Sequence, residues 1–104
     1  MITSTYTSSL FDCRGVSDAD RREAEQLFCA AIEAQLGGKT NVVTAYAAYE
    51  AAFQAHGELP LPAAATEQER AAVEAWEDAE RAGCAAAFAG WTGNLGGAHF
   101  EINV

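Results

Sequence analysis

Only two prolines, one methionine and six basic residues occur in the 104 residues of this chain. Each shortage excludes something. Both prolines fall in one short segment, Pro60 and Pro62, so the rest of the chain carries no helix breaker of that kind. No stretch approaches the roughly 20 apolar residues that cross a bilayer as a helix, so no membrane association is expected. Met1 to Phe11 lacks a basic start and a continuous apolar stretch, so no signal peptide is expected. Six bases against fifteen acids give a formal net charge of −9, which repels nucleic-acid phosphates and anionic lipid and argues against direct nucleic-acid binding. Three cysteines, Cys13, Cys29 and Cys84, are an odd number without a C-x-x-C pair, which fits neither a disulfide framework nor a zinc site. A reducing cytoplasm is the expected location, with no metal and no cofactor.

What the chain has in abundance is alanine, 24 residues of it, the best helix former. The length suits one domain, residues 1–104. Ser17 followed by Asp18 and Asp20 reads as a helix start, and Gly37-Gly38 as its stop. Between them Ala24, Leu27, Phe28, Ala31, Ile32 and Leu36 form an apolar stripe. A second helix is predicted from Thr40 or Asn41 to Gly57, with Val42, Ala45, Tyr46, Tyr49, Ala52, Phe53 and His56 on one face. Its other face carries Glu50 as its one charge, so the helix is expected to be central in the fold or covered by a partner. Thr66-Glu67-Gln68-Glu69 is a capping box that opens a third helix running to about Gly90. That is a rod of about 36 Å, which predicts either a kink near Gly83 or a partner over its far end.

The two ends read as strands. Residues 2–11 alternate, with Ile2, Tyr6 and Leu10 to one side and Thr3, Thr5 and Thr7 to the other. Ala98, Phe100, Ile102 and Val104 alternate with His99, Glu101 and Asn103 at the other end. The predicted fold class is therefore α+β, mainly helical: a three-helix core with two short terminal β-strands, N- and C-terminal.

Chemistry-bearing residues are few. The glycine-rich stretch Gly90–Gly97 runs from helix to strand with no following Lys or Arg, the reverse of a phosphate loop, and reads as a turn. Trp91 and Asn94 lie on it, and His99 and Glu101 share the polar side of the last strand, so these four, together with Glu80 of the third helix, are candidate ligand or partner contacts. Glu80 falls inside the apolar arc of the third helix, about 40° from Trp76 at 100° per residue, where a carboxylate must find a partner, stay protonated or reach out to solvent. Glu67, Glu74, Glu77 and Asp78 occupy the opposite face beside Arg70 and Arg81, with Glu77–Arg81 the expected spacing-four pair. His56, one residue before the stop, is expected to cap the last carbonyls of its helix.

No catalytic motif emerges, and the leading expectation is a non-catalytic protein-interaction or accessory module, most simply a homodimer. Two rivals remain open. One is a small-molecule binder or minor enzyme using residues 91–101; the other is an acidic mimic of nucleic acid that binds a basic protein, an idea weakened by the bases interrupting its acidic rows.

Overall fold

The computed structural model of the chain describes residues 17–89, in backbone alone at Phe88 and Ala89, together with the backbone of Thr7–Leu10 and Phe100–Asn103. Three helices fill the continuous stretch: α1 (Asp18–Leu36), α2 (Lys39–His56) and α3 (Glu67–Ala89). Ser17, in extended backbone, accepts the Asp20 amide on its side-chain oxygen at 3.1 Å, while Asp18 and Asp20 suit the positive end of the α1 dipole. Gly37 ends α1 in left-handed backbone at φ 90°, and its amide returns to the Glu33 carbonyl.

Gly37 and Gly38 alone separate α1 from α2. Gly38 stands at φ 127°, so the chain turns early and α2 begins at Lys39 rather than at Thr40 or Asn41. No side chain caps α2; instead its Asn41 donates from Nδ2 to the Leu36 carbonyl at 2.8 Å, so the start of α2 closes the end of α1. Gly57, at φ 71°, ends α2. The capping box of α3 forms in both directions: the Thr66 amide donates to Glu69 Oε1 at 2.8 Å and the Glu69 amide to Thr66 Oγ1 at 3.0 Å.

The core is one cluster drawn from all three helices: Ala24, Phe28 and Ile32 of α1, Val42 of α2, and Trp76, Ala79 and Ala87 of α3. Phe28, Ile32 and Val42 each contribute about 1.5–3 kcal/mol by leaving water. The most extensive helix contact is α1 on α3, and the slightest is α1 on α2. The central helix is therefore α3, and α2 lies at the edge. Gly83 is not a kink in α3, which runs unbroken; it is a buried position packed directly against Phe28 and Ile32 of α1. A Cβ there would stand 2.7 Å from Phe28 Cδ2 and 3.1 Å from Ile32 Cγ1.

The fold class is a correction to the α+β expectation. Residues 17–89 form a three-helix bundle, 82% helical and without a strand. Outside that stretch the backbone segments Thr7–Leu10 (β1) and Phe100–Asn103 (β2) run antiparallel, Ser8 opposite Ile102. Two four-residue segments are too little to make a sheet layer, and among the described residues the core cluster is drawn from the helices. Period-two alternation at the ends of the chain was thus a poor guide to fold class.

Candidate functional site

The side chains that gather polar chemistry lie between α2 and α3. Trp76 is 1% exposed and anchors the site from α3. Tyr46 meets it edge-on with ring centroids 5.1 Å apart, and Tyr49 lies stacked at 6.1 Å. Both tyrosines come from α2 at spacing three, so one helical face delivers both rings to one indole. A buried indole N–H needs an acceptor, and Glu80, one turn along α3, supplies it: Trp76 Nε1 donates to Glu80 Oε1 at 2.5 Å.

That bond answers the question Glu80 posed in the sequence. The carboxylate finds a partner, yet burial pushes its pKa up; the indole hydrogen bond opposes this and the neighbouring Glu77 charge adds to it. Tyr49 is raised too, by burial first and then by the charges of Glu80, Glu77 and Glu50. Cys84 is raised by burial and by Glu80, which keeps its thiol protonated and a poor nucleophile. All three shifts run towards the protonated form. Cys29 and Cys84 are in no disulfide.

A second constellation joins the ends of α2 and α3. His56, expected to cap α2, turns instead to Glu69, with Nε2 and Oε2 3.0 Å apart. The two residues are thirteen apart across the connector, residues 58–66, that joins α2 to α3, and no local spacing announces such a pair.

Beside it lies a cleft of about 200 Å³ between the connector and α3, lined by Pro60, Leu61, Arg70, Val73, Glu74 and Glu77. Arg70 donates to the Pro62 carbonyl, which holds the connector against the helix. The expected Glu77–Arg81 pair does not form, because Arg81 binds Asp78 at 2.7 Å instead. No ion pair holds Glu74 or Glu77 among the described residues. Between α2 and α3 a groove of about 210 Å³ is lined by Ala48, Ala51, Ala52 and Ala72 with Gln68 and Glu69.

Of the candidate contacts named from sequence, Glu80 alone is placed with its side chain. Trp91, Asn94 and His99 lie outside the described residues, and Glu101 is described in backbone only, within β2. Among the described residues no group of three His, Cys, Asp or Glu is placed to hold a metal ion, and no helix is long and apolar enough to cross a membrane. Comparison with known proteins brings no match: no family model, curated protein or solved structure is similar to this chain.

Proposed function

We propose that this chain is a non-catalytic interaction module that self-associates through the outer face of α2. One observation carries the reading. α2 lies at the edge of the bundle with only Val42 and Ala52 buried, and from Ala47 to Ala55 it exposes Ala47, Ala48, Ala51, Phe53, Gln54 and Ala55 around a single charge, Glu50. Phe53, on the face predicted to be covered, is 38% exposed, as is Leu59 just beyond the helix.

Charge supports a second copy as the occupant. α1 carries five acids against two bases and α3 six against two, so copies approaching through either would repel. α2, with Lys39 offsetting Glu50, is the surface on which approach meets no net repulsion, and its alanines let backbones come close. The reading takes the protein to be cytoplasmic, in keeping with Cys29 and Cys84 outside any disulfide, and the net charge of −9 disfavours nucleic acid as a direct partner.

Light scattering coupled to size exclusion tests it. The native chain should run as a dimer, and Ala51→Glu as a folded monomer with unchanged helical circular dichroism. A monomer mass for the native chain at high micromolar concentration would sink the reading.

A further inference from the structure

We propose that the cleft between the connector and α3 receives the side chain of a lysine carried on an apolar, basic segment of a protein partner. The cleft offers two things a lysine needs. Its floor is apolar: Pro60 and Leu61 on one side and Val73 on the other, the last almost fully buried. That surface suits the four-carbon stem, which gains from leaving water while the ammonium stays at the rim. The rim is acidic: Glu74 and Glu77 stand on successive turns of α3, both exposed and neither held in an ion pair.

The charge balance is lopsided along the cleft. Arg70 sits at one end, about 6 Å of helix rise before Glu74 and about 10 Å before Glu77, and its guanidinium is occupied by the Pro62 carbonyl. A cation entering at the Glu77 end meets a carboxylate in no ion pair, at the end of the cleft away from Arg70, with an apolar shelf beside it.

An apolar neighbour on the same segment gives the partner its second hold. Leu59, 38% exposed, directly precedes the connector residues that form the wall of the cleft. None of the residues lining the cleft lies on α2, so this inference and the self-association reading are tested separately.

The test is a titration of the full chain, labelled with ¹⁵N, with a capped leucine–lysine–leucine peptide and with the same peptide carrying norleucine for lysine. Amide shifts should centre on Leu61, Val73, Glu74 and Glu77 with the lysine peptide and stay small with the norleucine one. Glu74→Gln combined with Glu77→Gln, at two exposed positions, should weaken binding about tenfold, the scale of two exposed ion pairs. Its oligomeric mass should equal that of the native chain, which separates this outcome from any failure of self-association. Shifts spread equally over Asp18, Asp20 and Glu23 of α1, or affinity unchanged in the double variant, would overturn the assignment and leave only general attraction to an acidic surface. Equal binding of the norleucine peptide would overturn it as well.

Discussion

His56, the last residue of α2, sets its Nε2 3.0 Å from Oε2 of Glu69, whose other oxygen accepts the Thr66 amide at the start of α3. One carboxylate thus caps its own helix and ties down the end of its neighbour. The bond from the Thr66 amide, followed by the bond to His56, lowers the Glu69 pKa. A folded-state pKa below the unfolded value means the stabilisation is present above the ordinary carboxylate range and disappears as pH falls through the depressed value. Glutamine also serves in a capping box, so Glu69→Gln isolates the charge. Urea midpoints of native and variant chains should differ near neutral pH and converge on acidification. A constant difference across that range would assign the effect to packing.

Thr66→Ala removes the other half of the box and should cost about 1 kcal/mol, by leaving the Glu69 amide without its acceptor. An unchanged urea midpoint would show that α3 does not depend on this cap.

Glu80 runs the opposite way with pH. Burial raises its pKa, so the folded state bears a cost for its charge at neutral pH that is relieved as pH falls from the raised value towards the ordinary one. Glu80→Gln retains an oxygen for the Trp76 indole and should be neutral or stabilising near neutral pH, with that advantage shrinking in acid. Glu80→Leu strands a buried N–H and should cost roughly 1–3 kcal/mol. Denaturation of both variants across pH gives the comparison, and equal effects would show that the indole bond contributes nothing.

Gly83→Ala should lose stability even though alanine favours helix by about 1 kcal/mol. The added methyl would stand 2.7 Å from the ring of Phe28, which is itself buried and has nowhere to swing. Overpacking of this kind costs about 1–3 kcal/mol, enough to cancel or exceed the propensity gain. Pairing Gly83→Ala with Phe28→Leu should recover part of the loss; a stabilised single variant would mean that α1 and α3 do not meet so closely.

The helices were legible because their signals are local. Ser17, Gly37, Gly57 and the Thr66–Glu69 box each act within one turn, and each appears where the sequence puts it. Glu80 was legible as an anomaly for the same reason, since helical spacing fixes its angle from Trp76, although the indole bond itself was not foreseen. What sequence could not supply was tertiary. The neutral face of α2 was compatible with a central or an edge position, and which helix is central follows from how Gly83 admits Phe28. His56 and Glu69 meet only because the connector doubles back, and the same fold brings Leu61 to Val73. Alternation at the ends of the chain misled on fold class because period two says how side chains point, not how much of the fold the paired segments carry.

The central place of α3 has a consequence for synthesis. A nascent chain that has emerged only as far as Pro62 holds α1, α2 and their glycine turn, but not Trp76, Ala79 or Ala87. Phe28, Ile32 and Val42 then lack the surface they bury against, and the contact between α1 and α2 is the slightest in the bundle. The hairpin of the first two helices therefore leaves the ribosome as an apolar, unfinished surface, and the arrival of the third helix is the event that makes the chain a folded protein.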